Sequence, residues 1–330
     1  MPDTQPEAAP AAGRNTTTLI LATVKQNVSL TATDAATGAI AHVVKVGTVG
    51  TSKPHEIALS ADGSRAFVSL YGSADYGPNV PDNRIAVVDL ATMTLAGHID
   101  LNLYKGPHAL VVGADGMLWA TVDANRCLLV IDPESWQIER TLWLQVPGHF
   151  LAASPDGNTL YVTAKEYPVV VEIDMAARAI AATIALPVGG QGIRVSVDGK
   201  FLYVGDFHRP LLHVVDCATR RVVQTVPLTG VPGWPFVSPD GRHIVVTTWD
   251  ESAGRGYAEI LDTADPLQRR IVALPAEPFH ALFSEDGRTF HVALGDGAVP
   301  CIDIATAAIV DGGFDVGGSM PEALVRWPAV

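Results

Sequence analysis

Residues 149–164 read HFLAASPDGNTLYVTA, an apolar segment, an Asp-Gly turn at Asp156-Gly157, and a second alternating segment. Asp-Gly between two such runs is a strong signal for a β-hairpin, because glycine accepts the positive φ of a tight turn. The same pattern occurs six times. Its Asp residues are Asp62, Asp115, Asp156, Asp198, Asp240 and Asp286, at intervals of 53, 41, 42, 42 and 46 residues. The period predicts repeated four-stranded units and excludes a β-sandwich, whose strands do not recur in this way.

A second pattern, in which an apolar run ends at Asp before another apolar run, occurs seven times. Its Asp residues are Asp34, Asp89, Asp132, Asp174, Asp216, Asp262 and Asp303. Seven of these turns and six Asp-Gly turns are expected if one unit is divided between the chain ends. Strands near the start (16–46) would then join the segment PEALVRW (321–327) in one sheet, which removes the last open edge. The sequence therefore predicts an all-β, seven-bladed β-propeller as a single domain over 16–330, after a disordered leader over 1–15.

The repeats resemble those of the YVTN β-propellers, whose signature is nearly intact at Tyr161-Val162-Thr163-Ala164 and again at 203–206. The resemblance covers 16–330 and implies the propeller fold. It implies little about function, since propellers of this kind include lactonases, lyases, amine dehydrogenase chains, surface proteins and scaffolds.

Composition narrows the classes of partner. Hydrophobic residues make up 48% of the chain and the formal net charge is −13, so nucleic acid and membrane surfaces are poor partners. The N-terminus lacks the pattern of a signal peptide, so we expect a cytoplasmic protein, or an exported one whose signal has been removed. The three cysteines are expected to be reduced. Motifs of serine hydrolases, phosphate-binding loops, dinucleotide binding and HExxH metalloproteases are absent from the sequence.

A candidate metal site follows from the repeat alignment. Counting seven residues back from each Asp-Gly Asp gives the residues at the start of each innermost strand, which should surround the channel mouth. They are His55, His108, His149, Gln191, Gly233 and Phe279, with Glu322 from the closing strand, while Trp234 and His280 would replace their neighbours if blades five and six were shifted by one. Three imidazoles and one carboxylate suit a divalent zinc, iron or copper ion. The same histidines could instead serve only to hydrogen-bond channel water.

The loops between the second and third strands should open on the same face. They place Tyr71, Asp123 and Lys165 as candidate acid–base residues. The candidate substrate-binding residues are Lys25, Arg84, Phe207, His208, Arg209, Trp249 and His280. Their mixture of aromatic and cationic side chains favours a small, carboxylate-bearing substrate. An insertion from Tyr71 to Arg84 has the composition of a binding loop or lid, and an idle surface loop has the same signature.

Two classes of function remain open at this point. The first is a metal-dependent lyase, hydrolase or oxidative enzyme that acts on a small molecule at the channel mouth. The second is a non-catalytic module that binds a protein or peptide. A calcium- or magnesium-dependent lactonase fits less well, because these ions prefer oxygen ligands. The substrate, the metal and the oligomeric state are not determined by the sequence.

Overall fold

The computed structural model describes residues 18–73 and 80–328. The predicted leader therefore lies outside the described residues, as does the centre of the blade-one insertion. In chain order the strands are β1 (Thr18–Val24), β2 (Ser29–Asp34), β3 (Ile40–Lys45), β4 (Pro54–Leu59), β5 (Arg65–Gly72), β6 (Pro81–Asp89), β7 (Thr94–Asp100), β8 (Pro107–Val112), β9 (Leu118–Val122), β10 (Cys127–Ile131), β11 (Ile138–Trp143), β12 (Leu151–Ala153), β13 (Thr159–Thr163) and β14 (Val169–Asp174). They continue as β15 (Ala179–Ala185), β16 (Gly190–Val195), β17 (Phe201–Asp206), β18 (Leu211–Asp216), β19 (Arg221–Pro227), β20 (Val231–Val237), β21 (His243–Asp250), β22 (Arg255–Asp262), β23 (Arg269–Leu274), β24 (Pro278–Phe283), β25 (Thr289–Leu294), β26 (Ala298–Asp303), β27 (Ala308–Asp315) and β28 (Pro321–Pro328).

These strands form seven antiparallel four-stranded sheets, which confirms the predicted seven-bladed propeller. We call the sheet β4–β7 blade one and number the others along the chain, so that β24–β27 is blade six. Blade seven has the order β28-β1-β2-β3, and β1 pairs with β28 from Thr18↔Pro328 to Val24↔Pro321. The last strand of the chain is thus the innermost strand of the blade that the first three strands begin.

The turns that define the repeat adopt the conformation that their sequence predicts. The glycines of the six Asp-Gly turns all have φ between 67° and 77°, where a side chain would be strained. At the other repeated turn, Asp34 Oδ1 accepts the N–H groups of Ala36 and Thr37 at 2.8 and 2.9 Å. This bonding holds the pKa of Asp34 below its usual range.

The core lies between neighbouring blades. The two middle strands of each blade are almost entirely buried, and the largest fully buried side chains are Trp119, Phe67 and Phe290. Most side chains of the outermost strands are exposed to solvent, as in β3 and β15. In the residues that the structure describes, no helix is long and apolar enough to cross a membrane.

Candidate functional site

Each innermost strand carries a β-bulge at the point where it meets the channel mouth. In blade one, Pro54 pairs with Leu70 and Ile57 with Val68, so that His55 and Glu56 together face Ser69. Register shifts at the same repeat position occur in blades two, four, five, six and seven. In blade three, Thr163 is bonded by both His149 and Phe150. A bulge re-aims the side chains of its strand, so in blades one, two, three, five and six two consecutive residues line the channel.

The strand residue opposite the bulge fixes this geometry in four adjacent blades through its hydroxyl group. The Thr121 hydroxyl accepts the Ala109 N–H in its own blade and donates to the His149 carbonyl in the next, both at 2.9 Å. Thr23, Ser69 and Thr163 repeat the pattern toward His55, His108 and Gln191 at 2.6–2.8 Å. We call blades seven, one, two and three the hydroxyl arc. Their hydroxyls hold the backbone of His55, His108 and His149.

The other three blades are joined differently. The positions opposite the bulge are Gly205 in blade four and Ala293 in blade six, which carry no hydroxyl, and Thr247 in blade five, whose hydroxyl bonds only within its own blade. A Cβ on Gly192 would lie 2.6 Å from the Gly233 carbonyl oxygen and 2.7 Å from Trp234 Cα. We call blades four to six the glycine arc, because glycines let the backbones of blades four and five approach closely and, among the described residues, no hydroxyl bridge joins these three blades to the next.

A cavity of about 590 Å³ occupies the mouth, which is within the usual size of small-molecule sites. All seven aligned positions line it, as do residues of the surrounding loops. The lining residues that sequence analysis identified are His55, His108, His149, Gln191, Gly233, Phe279, Glu322, Trp234, Lys25, Tyr71, Lys165, Phe207, His208 and Trp249. One wall is therefore rich in imidazole and the opposite wall is aromatic.

The three histidines lie in contact on the floor of the cavity. The ring centroids of His55 and His108 are 4.7 Å apart and those of His108 and His149 are 4.0 Å apart, with tilted planes. Tyr71 packs edge-on against the first two rings at 5.0 and 5.3 Å, and Phe150 against the last two at 4.9 and 4.3 Å. These aromatic neighbours hold the imidazoles in place and exclude much of the water around them.

Burial and like-charged neighbours make this floor unfavourable for additional positive charge. Burial pushes the pKa of His149 well below its usual range, and His108, Lys165, His55 and Lys25 act in the same direction. His149 is therefore a neutral imidazole at pH 7, and its Nε2 has no hydrogen-bond partner among the described residues.

Two lysines supply positive charge to the cavity walls. Lys25 is buried and lies 2.5 Å from Glu322 Oε2, while the other oxygen of this carboxylate is 3.7 Å from His55 Nδ1. Lys165 lies on the opposite side with its ammonium 5.5 Å above the ring of Phe207. Glu322 thus compensates one lysine, and Lys165 faces the part of the cavity between the histidines and the aromatic wall.

Asp123 does not line the cavity itself but reaches it through Tyr71, whose hydroxyl donates to Asp123 Oδ2 at 3.0 Å. Burial raises the pKa of Asp123, against the opposing effects of the Tyr71 hydrogen bond and Lys165. Tyr71 and Asp123 are consequently placed as one hydrogen-bonded pair beside the imidazoles.

Three predicted substrate-binding residues lie elsewhere. Arg84 pairs with Asp82 at 2.7 Å in the hairpin that carries the insertion, and Arg209 pairs with buried Asp206 at 2.7 Å. His280 lies one level deeper, because it is the second residue of its bulge, and lines a separate cavity. The ends of the insertion extend the hairpin of β5 and β6 through the pair Gly72↔Pro81.

Sequence analysis did not identify several residues of the site, of which Phe150 and Glu277 bear most on its chemistry. Phe150 is the second residue of a bulge, and a bulge gives no signal in the sequence beyond the aligned position itself. Glu277 precedes an innermost strand, and burial followed by repulsion from Glu322 raises its pKa. A search one residue on either side of the aligned ring would have found Phe150.

The arrangement of the histidines bears on the predicted metal. The donor types suit zinc, copper or iron, and the unpartnered Nε2 of buried His149 is available as a ligand atom. In the part of the chain that the structure describes, however, no three His, Cys, Asp or Glu side chains are arranged to hold a metal ion. The imidazoles stack side by side, and Glu322 is engaged by Lys25. Metal binding would require these side chains to rotate.

Comparison with known proteins supports the propeller fold and does not identify a function. No protein-family model matches the chain, and no curated protein matches it. Among solved structures, 1717 chains match. One of them is Kuenenia stuttgartiensis hydrazine synthase, with 20% sequence identity over 76% of each chain and a TM-score of 0.64. A likeness at this identity shows the propeller fold alone. The function has to be argued from the site.

Proposed function

We propose that this protein is an enzyme that binds a small organic anion in the mouth cavity and transfers a proton to or from it. The observation that carries the proposal is the contact of three buried imidazoles on the cavity floor, opposite an aromatic wall and beside Lys165. In this proposal the repeats, which resemble those of YVTN propellers, form the scaffold of the cavity, and the residues that line the mouth carry out the reaction.

Each part of the cavity has a role in the proposal. The ammonium of Lys165 binds the carboxylate of the substrate, and Phe207, Trp249 and Phe279 cover its apolar part. His149 is neutral and has a lone pair on a buried nitrogen, so it can accept a proton from the carbon next to the carboxylate while the electron pair stays on the substrate as an enolate. The negative charge of the bound substrate stabilises the imidazolium that forms, which offsets the cost of placing a positive charge on the buried floor.

The Tyr71–Asp123 pair would supply the second proton. The Tyr71 hydroxyl is hydrogen-bonded to Asp123, whose protonated form is favoured by burial, and the Tyr71 ring contacts two of the imidazoles. Protonated Asp123 would donate its proton to the Tyr71 oxygen while the Tyr71 hydroxyl gives its own proton to the substrate. Removal of one proton and addition of another is the chemistry of racemases and isomerases.

The test surveys a class of compounds rather than a single substrate. The protein is incubated in D₂O with a panel of C3–C8 carboxylates, and NMR monitors replacement of hydrogen by deuterium next to the carboxylate. We expect exchange with at least one acid, loss of exchange by a factor of about 10² or more in His149→Gln, and full exchange in His42→Gln, whose histidine lies on an exposed outer strand. Exchange that survives in His149→Gln, or that no acid undergoes, would contradict the proposal.

A divalent metal on His55, His108 and His149 is a separate proposal for the same side chains, favoured by their donor type. Elemental analysis of protein purified without chelator decides it. Stoichiometric zinc, iron or copper that is lost in folded His108→Ala would establish the metal. Metal-free protein would leave the imidazoles as proton-transfer groups, and exchange in D₂O would then proceed unchanged in the presence of EDTA.

A further inference from the structure

A second cavity, of about 410 Å³, lies in the central channel beyond the ring of mouth residues. The innermost strands of six blades line it, with Phe150 as the one residue that also lines the mouth cavity. We call it the axial chamber. Most of its wall is aliphatic and consists of Ile57, Leu110, Val111, Leu151, Val195, Leu282, Leu324 and Val325.

The polar groups of the axial chamber come from four different blades. They are Glu56, Arg194, His280 and Arg326. Glu56 and His280 are second residues of their bulges, which is why they face the channel below the mouth residues that precede them. The chamber thus combines two guanidinium groups with one carboxylate, and positive charge is in excess whatever the ionisation of Glu56.

Arg194 is one of the two arginines of the axial chamber. Its guanidinium lies 5.1 Å above the Phe236 ring, and Nη1 donates to the Ile193 carbonyl at 2.9 Å. The side chain is half-buried, since one side borders the chamber and protein surrounds it elsewhere. Among the residues that the structure describes, no carboxylate forms an ion pair with Arg194, including Glu56 across the channel.

The neighbouring polar atoms also lack partners. Glu56 Oε1 and His280 Nδ1 are buried without a hydrogen bond within the described ranges. The His280 ring packs edge-on against the Phe236 ring with 4.6 Å between centroids, and the Arg194 guanidinium lies over this same Phe236 ring. Burial and repulsion from Glu322 raise the pKa of Glu56 to about 8, so at pH 7 Glu56 is largely protonated and compensates the charge of Arg194 only in part. An incompletely compensated guanidinium and unsatisfied polar atoms are costly, so the chamber favours an anionic ligand that accepts hydrogen bonds from Arg194 and from protonated Glu56.

We propose that the axial chamber binds a monocarboxylate with a short aliphatic chain. The carboxylate accepts two hydrogen bonds from the Arg194 guanidinium, a geometry for which this side chain is suited. The chain lies against Leu110, Val111 and Leu282. The axial chamber differs from the mouth cavity in its lining residues, and binding there does not depend on the proposed enzyme activity.

Calorimetric titration of the full chain with hexanoate tests the proposal. We expect binding to the unaltered protein, weakened about tenfold or more in Arg194→Met because charged hydrogen bonds are lost. Arg242→Met is the matched control, since Arg242 is an exposed arginine on a turn, and it should bind normally. Hexanol lacks the charge and acetate lacks the chain, and both should bind at least about tenfold more weakly.

Other outcomes overturn the proposal. Hexanoate binding that Lys165→Met abolishes and Arg194→Met leaves intact would assign the ligand to the mouth. Acetate or chloride that binds as tightly as hexanoate would show an anion site without a pocket for the chain. If Arg194→Met does not fold, Leu282→Trp fills the chamber from its aliphatic wall, and hexanoate binding unaffected by this change would equally reject the chamber as its site.

Discussion

The hydroxyl arc and the glycine arc are built from the same repeat, yet they join their blades by different means. In the hydroxyl arc, a buried Thr or Ser of one blade bonds the backbone of the mouth residue of the next at 2.6–2.9 Å. In the glycine arc, Gly192 and Gly205 of blade four allow close approach to Pro232, Gly233 and Trp234 of blade five.

This difference matches the difference in mouth residues. His55, His108 and His149, whose orientation matters for chemistry, all belong to the hydroxyl arc, where hydrogen bonds fix their main chain. The glycine arc contributes Gly233, Trp234 and Phe279, which leave space and an aromatic wall. The two arcs thus form one imidazole-bearing wall and one largely aromatic wall of the same cavity.

The largest effect is expected for Gly192→Ala in the glycine arc. A Cβ would overlap backbone atoms of Gly233 and Trp234, which cannot move without displacing blade five, so the free energy of unfolding should fall by about 3 kcal/mol or more. Urea unfolding measures it. Gly295→Ala is the control, because its nearest neighbour would lie at 3.4 Å and its φ is ordinary, and it should change stability little. Equal effects of the two changes would mean that close backbone approach does not join these blades.

Removal of one bridging hydroxyl should have the next largest effect. Thr121→Val keeps the shape but leaves the Ala109 N–H and the His149 carbonyl without this partner, at a cost of about 1–3 kcal/mol. Thr247→Val should cost less, because Thr247 bonds only Trp234 of its own blade, at 3.3 and 3.5 Å. The two variants are compared by urea unfolding at pH 7.5. A larger loss for Thr247→Val would contradict the structural distinction between the arcs.

Acidification should act on one buried histidine of each arc. Burial holds the pKa of both His149 and His280 well below the usual value, so below about pH 6.5 the unfolded chain binds protons that the folded chain does not, and stability falls as the pH falls. His149→Gln and His280→Gln should each flatten the fall in unfolding free energy between about pH 6.5 and 5, measured by urea unfolding, whereas His42→Gln on an exposed outer strand should not. An unchanged slope in His149→Gln or His280→Gln would show that this imidazole accepts a proton in the folded protein without cost.

The smallest effect is expected for transfer of a bridge into the glycine arc. In Ala293→Ser, the new hydroxyl would lie opposite the bulge at Phe279 and His280. It would occupy the position from which Thr23 in the next blade bonds its own bulge and the backbone of the following blade. We expect stabilisation by about 0.5–1 kcal/mol from the added hydrogen bonds. Thermal unfolding measures it, with Ala66→Ser as a comparison at a buried strand position away from a bulge. Destabilisation by both substitutions alike would show that the bulge position has no special capacity to satisfy a hydroxyl.

Much of the fold could be predicted because it follows from local chemistry that repeats. Each Asp-Gly pair specifies a turn by the φ that glycine tolerates, and the spacing of the turns counts the blades. The mismatch between seven Asp turns and six Asp-Gly turns located the closing strand, which pairs with β1 as predicted. The same alignment placed His55, His108, His149 and Glu322 on the cavity wall.

The arrangement of the site could not be predicted in the same way. A bulge depends on how an innermost strand meets both its own blade and the next, so it is a property of the closed ring. It decided that His280 lies below the mouth and that Phe150 lines it. Arg84 and Arg209 were assigned to the substrate from their loop positions, and the structure pairs them with Asp82 and Asp206, of which the latter is completely buried.

Residues close together in the chain were enough to specify the number of blades, the closure of the ring and the positions that face its axis, because hydrophobic period and turn chemistry are local properties. Which side chains contact one another across the channel depends on the tertiary structure of the closed ring. Contact between His55, His108 and His149, like the separation of Arg194 from Glu56, depends on distances across a channel between strands far apart in the chain. Such distances are set by the packing of whole blades, and no local pattern specifies them.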